Sequence, residues 1–256
     1  PMATVTPTPT PYNGPVNPLS GMPTDAETAA RRPVAVMLNN LEQALPQLGQ
    51  SQADIIYEAV AEGGITRMLG VFQSVEDVGR IGSIRSARPY YIELALGHDA
   101  LFIHAGGSEQ AYSDLRNWDV DHFDAVRGPY MGKSPESNMM WRDADRRKEN
   151  GYEHSVVATG SSILANLPED LRLEHEEGYD TGLTFADDGT PTGGSQVSVV
   201  TVPFSNYKTG IFVYDEDQKA YLVEEYGSPY VDGNTGAQVA VTNVIVVQTR
   251  CRYTGD

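Results

Sequence analysis

The 256-residue chain is long enough to bury a substantial core, and 40% hydrophobic residues with 14 tyrosines describe a folded globular protein. A formal charge of -17, from 35 acidic against 18 basic side chains, excludes a nucleic-acid-binding surface and disfavours attraction to anionic lipid. The single cysteine, Cys251, excludes an internal disulfide and any cysteine-based metal cluster. No apolar run reaches the roughly 18 residues needed to span a bilayer. No cleavable signal opens the chain, as expected of a mature or trimmed form.

Residues 1–20 alternate Thr and Pro without apolar periodicity, the composition of a semi-rigid extended spacer. Such spacers stand between a membrane anchor and a folded domain; the competing reading is a cloning remnant or an unstructured end. Turn residues and the first apolar anchors at Asn17–Pro23 place the start of folding there. Residues 21–180 read as an α/β domain, a mixed sheet with flanking helices. Pro33–Leu38 is a short continuous apolar run, a buried strand ending at Asn39-Asn40. Pro46 interrupts the next segment, which predicts a short helix or an irregular connection. Ala53–Ala61 and Thr66–Gln73 read as strands joined by a turn at Glu62-Gly63-Gly64.

The next stretch stands out. Arg80, Arg85 and Arg88 fall within nine positions, with no acidic residue between Asp77 and Glu93. Ser86 is predicted to cap a helix whose first turn holds Pro89, with Tyr90, Tyr91, Leu94 and Ala95 on its apolar face. Ala100–His104 reads as a buried strand that runs into Ala105-Gly106-Gly107-Ser108 and a helix over Glu109–Trp118. Helix beginnings expose unpaired N–H groups, and in open α/β sheets such turns gather at the carboxyl ends of strands. Arg85 and Arg88 beside Ser86, Gly106, Gly107 and Ser108 could grip a carboxylate or phosphate. The alternative is that they neutralise the protein's own acids, Glu58, Glu62 or Asp143. No Gly-Lys-Ser/Thr follows the Gly-Gly turn, so it is not a nucleotide P-loop.

Asp119–Glu153 is polar and irregular, with Met139-Met140-Trp141 as its docking point on the core and Arg142, Asp143 and His154 within reach of a site. A loop this long suggests a lid or binding surface. A helix is expected over Ser161–Asn166. From residue 181 the pattern changes: Val197–Val202, Gly210–Tyr214, Ala220–Glu225 and Val239–Gln248 predict a smaller, mainly antiparallel β domain over residues 181–256. The acidic turns at Asp187, Asp215 and Asp232 lack the spacing of a calcium loop and read as hairpin turns.

Several of these blocks resemble one family. Ala53–Glu58, Glu62–Arg67, Gly82–Tyr90, His104–Ser108, Trp141-Arg142-Asp143 and Thr242–Val247 are similar to the YerB-like lipoproteins of Gram-positive bacteria. The resemblance covers about residues 17–249 and departs from the family pattern at Gly151–Ser155, which keeps only His154. It implies an exported, lipid-anchored, two-domain protein and a further β segment beyond Asp256. It also implies that membrane attachment comes only through an N-terminal lipid anchor outside this chain. It places Arg142, Asp143 and His154 near the arginine cluster, and it assigns no biochemical activity.

His104 and His154 with Asp143 or Glu62 could form a metal site or an acid–base pair, but their separation carries no ligand spacing, and no metal or cofactor is assigned. No nucleophile elbow is present, which leaves Ser108 a weak nucleophile candidate. Three functions fit these features. The first is a binding protein for an anionic cell-wall or glycan ligand, held by Arg67, Arg85, Ser86, Arg88, His104, Gly106, Gly107, Ser108 and Arg142. The second is a cell-envelope hydrolase or transferase using the same arginines, with Glu62, Asp143 or His154 as acid or base. The third is a scaffold for a membrane-bound cell-wall synthesis protein.

Overall fold

A computed structural model describes residues 12–186 and 193–250. The largest sheet has five strands, and its centre is β1 (Val34–Asn39). On one side of β1 lies the hairpin of β2 (Ile55–Val60) and β3 (Thr66–Phe72), both pairings antiparallel. On the other side β5 (Leu101–His104) and β6 (His122–Asp124) pair in parallel. A second sheet has the order β4 (Arg80–Gly82), β9 (Val156–Thr159), β8 (Met140–Arg142), β7 (Met131–Gly132).

The continuous apolar run of β1 is explained by burial on both faces. Ala35 and Met37 join Leu69, Val71 and Phe102 under Tyr91, Ile92 and Ala95 of α2 (Pro89–Gly97) and Ala111 and Leu115 of α3 (Glu109–Asn117). Val34, Val36 and Leu38 face the opposite way, toward Ile81, Met140, Val156 and Ala158 of the second sheet. Val223, Tyr230 and Val239 of the C-terminal domain complete that same core. This domain is an antiparallel sheet of β10 (Val199–Pro203), β11 (Thr209–Asp215), β12 (Ala220–Glu225) and β13 (Ser228–Pro229), with β14 (Ala240–Val241) also on β12. The chain is thus a two-domain α/β plus β protein. Among the described residues no helix is long and apolar enough to cross a membrane.

Three expectations need correction, and a fourth is extended. Ser86 does not cap α2: Arg88 occupies that position, Pro89 follows at the first helical residue, and the Ser86 hydroxyl donates to Ala105 O at 3.2 Å. A cap must reach the second or third helical N–H, and Ser86 sits two residues too early. Residues 119–153, expected to be irregular, contain β6, β7, β8 and α4 (Ala144–Glu149). Strands of two or three residues are too short for alternation to show. The expected last strand, Val239–Gln248, pairs only at Ala240–Val241, and Ile245 and Val247 are 86% and 76% exposed. The turn at Asp232 does more than close a hairpin: its carboxylate accepts from Gly49 N, Ser51 N and Ser51 Oγ, a clasp between the domains. The expected turn at Asp187, like most of the tether, lies outside the described residues; Leu19 near its end is buried in the core.

The backbone at the start of α5 (Gly160–Ala165) passes so close to Val75 that a Cβ on Gly160 would lie 1.6 Å from Val75 O and 2.9 Å from Val78 O. Neither carbonyl belongs to a flexible side chain that could swing away. Gly160→Ala is therefore expected to destabilise the fold by about 3 kcal/mol, read as a lowered urea midpoint at unchanged slope.

Candidate functional site

The carboxyl ends of the parallel strands β1, β5 and β6 lie on one edge of the main sheet, at Asn39, His104 and Asp124. Antiparallel pairing of Asn39 with Arg67 brings the start of β3 and the preceding Glu62-Gly63-Gly64 turn to that edge. The arginine-bearing stretch is laced across it. Arg85 N donates to Met37 O, Ala105 N donates to Arg85 O, and Ala87 N donates to Gly106 O. Residues 86–88 therefore run beside Gly106, Gly107 and Ser108, and helices α2 and α3 begin next to each other.

Four guanidinium groups gather here, from Arg67, Arg85, Arg88 and Arg142. Glu62 Oε1 pairs with Arg88 Nε, and Glu62 Oε2 lies 3.3 Å from Arg67 Nη2. Arg67 also donates to Ser86 O at 3.3 Å, and Arg88 to Ala87 O at 2.7 Å. Burial pushes the Arg67 guanidinium down to about 10, with the neighbouring charge of Arg88 adding to the effect and Glu62 opposing it. Burial likewise lowers Arg85, against the pull of Glu153. Burial alone would raise the Glu62 carboxyl; the hydrogen bond from Arg88 and the charge of Arg67 outweigh it and hold the group below its usual range.

Arg85 and Arg142 reach toward the 151–155 loop. Arg85 donates to Glu153 O at 2.7 Å, with Glu153 Oε2 3.7 Å from its Nη2. Arg142 donates to Tyr152 O at 2.7 Å and stacks 3.6 Å above the Tyr152 ring. The loop histidine, His154, is buried beside Asn39 Nδ2 at 2.8 Å. Asn39 Oδ1 already accepts from Leu41 N, so the Asn39 amide nitrogen donates and His154 Nδ1 accepts. Burial, then the charge of Arg85, lowers the His154 pKa and keeps the ring neutral.

The structure thus brings together Arg67, Arg85, Ser86, Arg88, Arg142, Glu62 and His154, with Gly106, Gly107 and Ser108 alongside. The side chains of His104, Asp143 and Ser108 are engaged in other contacts. His104 is fully buried, bonded to Gly106 O at 2.8 Å and to His122 at 2.9 Å. Asp143 caps α4 by accepting from Arg146 N and pairs with Arg80 at 2.9 Å, which also removes Arg80 from the site. The Ser108 hydroxyl accepts from Ala111 N as the cap of α3. Sequence reasoning missed Glu153, whose backbone and carboxylate both engage Arg85; it lay inside the quoted Gly151–Ser155 block, but with nothing to mark it. Among the described residues no group of three or more His, Cys, Asp or Glu is placed to hold a metal ion.

Four cations facing the carboxylates of Glu62 and Glu153 leave a local positive excess in a strongly acidic molecule. Fold and site together define a two-domain α/β plus β protein with a cationic cluster at the carboxyl edge of its main sheet. Residues 19–171 match the N-terminal domain of DUF3048, a protein family of unknown function, and residues 200–256 match its C-terminal domain. The chain belongs to this family. It is 32% identical over 234 residues to the Bacillus subtilis (strain 168) protein named "Putative lipoprotein YerB". That match takes in 90% of this chain and 66% of the relative, so the chain spans just under two thirds of that protein. The crystal structure of the YerB protein from Bacillus subtilis superposes with a TM-score of 0.72 at 30% identity, covering 88% of this chain and 71% of that one.

Proposed function

We propose that this chain is the extracytoplasmic part of a membrane-tethered lipoprotein and that its arginine cluster binds an anionic cell-envelope ligand. A peptidoglycan fragment, a lipid-linked phosphosugar or an acidic glycan carries the required carboxylate or phosphate. The lipoprotein name of the Bacillus subtilis relative supports the tethered location, as does the Pro/Thr-rich start of the chain. One observation carries the binding reading: the Glu62 carboxylate, 45% exposed, bridges Arg67 and Arg88 at the rim of the cluster. It sits on a turn whose next residues, Gly63 and Gly64, adopt φ of +67° and +78°, a backbone that glycine follows without strain. Glu62 holds the place of a ligand's anionic group, and a half-exposed carboxylate on such a turn costs little to displace.

Calorimetry with muropeptides and phosphosugars tests the reading. Arg85→Ala/Arg88→Ala is expected to weaken binding at least about tenfold, since charge-assisted hydrogen bonds contribute about 1.5–3 kcal/mol each. Glu62→Gln is expected to strengthen it severalfold, and rising salt to weaken the wild type. Equal affinities for wild type and the double variant would sink the proposal.

A further inference from the structure

A cavity of about 350 Å³ opens between α3, β6 and the residues that follow β6. Its wall is built from Tyr112, Leu115, Arg116, His122, Arg127 and Tyr130. The volume lies at the small end of the range for ligand pockets, about 300–1,000 Å³. Behind it runs a pair of histidines whose protons are dictated by their partners. His104 Nδ1 lies 2.8 Å from Gly106 O and 3.7 Å from Asp124 Oδ1. Both neighbours only accept, so Nδ1 carries the proton. A fully buried neutral ring then has a lone pair on Nε2, and that lone pair must accept from His122 Nδ1 at 2.9 Å. His122 therefore donates inward and carries an unprotonated Nε2 on the opposite edge of its ring.

The acidic groups around the cavity are already engaged. Asp124 accepts from Gly106 N, Val126 N and Arg127 N and from the Tyr112 hydroxyl, all between 2.8 and 2.9 Å. Asp121 pairs with Arg32. The Arg127 guanidinium stacks 3.8 Å over the Tyr112 ring and pairs with Glu109, an exposed carboxylate that holds it weakly. The cavity therefore offers the His122 Nε2 acceptor, a cationic rim from Arg116 and Arg127, and a wall of the Leu115 side chain and the Tyr130 ring.

From this juxtaposition we infer that the cavity is a second ligand site, taking a compact hydroxylated ring that carries one carboxylate, an acid sugar. The carboxylate lies against Arg127 and Arg116, a hydroxyl donates to His122 Nε2, and the ring rests on Tyr130. This site is independent of the arginine cluster. D-glucuronate and neutral D-glucose are the probes, followed by long-range ¹H–¹⁵N NMR of the histidine rings. In the free protein both His104 and His122 are expected to show a protonated Nδ1 and an unprotonated Nε2. Glucuronate is expected to shift the His122 Nε2 resonance upfield in a saturable way, with glucose at least tenfold weaker. Arg127→Ala is expected to weaken the glucuronate-induced shift of His122 Nε2 at least tenfold, while Arg85→Ala/Arg88→Ala leaves that shift unchanged. A His122 ring protonated at Nε2 would overturn the inference. So would a resonance that glucuronate does not move, or equal binding of glucose.

Discussion

Lys208→Met is expected to cost about 3–5 kcal/mol of stability, the usual price of stranding a buried charge. Lys208 is 2% exposed at the junction of the two domains. Its ammonium pairs with Glu225 Oε2, lies 3.6 Å from Glu58 Oε1, and sits 4.1 Å over the Tyr226 ring. Burial lowers the Lys208 pKa and raises that of Glu58, each against the pull of the other's charge. Removing the ammonium leaves two buried carboxyl groups without a cation. Lys208→Met/Glu225→Gln is expected to recover part of the loss, because one of the two stranded carboxyl groups goes with the ammonium while Glu58 stays without a cation. Urea unfolding measures both variants; a change within about 0.5 kcal/mol for Lys208→Met, typical of a surface site, would show that the junction does not depend on this charge.

The same junction braces the arginine cluster. Ser205 Oγ donates to Gly64 O at 2.6 Å, and the Tyr226 hydroxyl donates to Asn40 O at 2.6 Å. These bonds hold the Glu62 turn and the end of β1 from the C-terminal side. Glu58, on the strand that leads into the turn, takes hydrogen bonds from Asn40 and Thr66 as well as the charge of Lys208. The second domain therefore supports the backbone beside the cluster and leaves the Glu62 carboxylate to Arg67 and Arg88; none of the four clustered arginines belongs to it.

Acid is expected to destabilise the protein through His104. Its pKa falls from 6.5 to about 4 because burial, acting against the nearby Asp124 carboxylate and the bond to Gly106 O, disfavours the charged ring. In the unfolded chain the ring takes up a proton near pH 6.5; in the native state it does so only near pH 4. The stabilisation is complete above pH 6.5, declines as pH falls, and is gone below about 4. At about 1.4 kcal/mol per pH across that window, the loss is about 3 kcal/mol. His98, His122 and His154 also have lowered values and add slope of the same sign, so the informative quantity is a difference. Stability of wild type minus His104→Gln, from urea unfolding at several pH values between 4 and 7, should rise with pH. A flat difference would mean that His104 takes up its proton at the same pH in the folded protein as in the unfolded chain.

Much of the fold was legible locally. An uninterrupted apolar run marks β1 because a strand covered on both faces has no polar side to alternate with. Pro89 and Ser108 mark the starts of α2 and α3 because helix beginnings have their own chemistry, even though Ser86 was the wrong residue for the first cap. The density of arginine in an acidic chain pointed to the stretch from which Arg85 and Arg88 join the cationic cluster. The short strands β6, β7 and β8 were not legible: two or three residues carry no period, and their partners lie elsewhere in the chain.

The sequence by itself determined the two-domain α/β plus β organisation, the family, and the arginine block with its neighbouring helix starts. The organisation and the arginine block rest on periodicity, capping and composition, all of them properties of neighbouring residues; the family rests on the resemblance of whole motif blocks. Only the tertiary structure decided which arginine meets which acid. It sent Arg80 to Asp143, put Arg67 and Arg88 on one Glu62 carboxylate, gave Arg85 to Glu153, and turned His104 inward to His122. Side chains pair where packing brings them within a few ångströms, and these partners range from 5 residues apart, for Arg67 and Glu62, to 68, for Arg85 and Glu153. Distance along the chain carries no record of that approach.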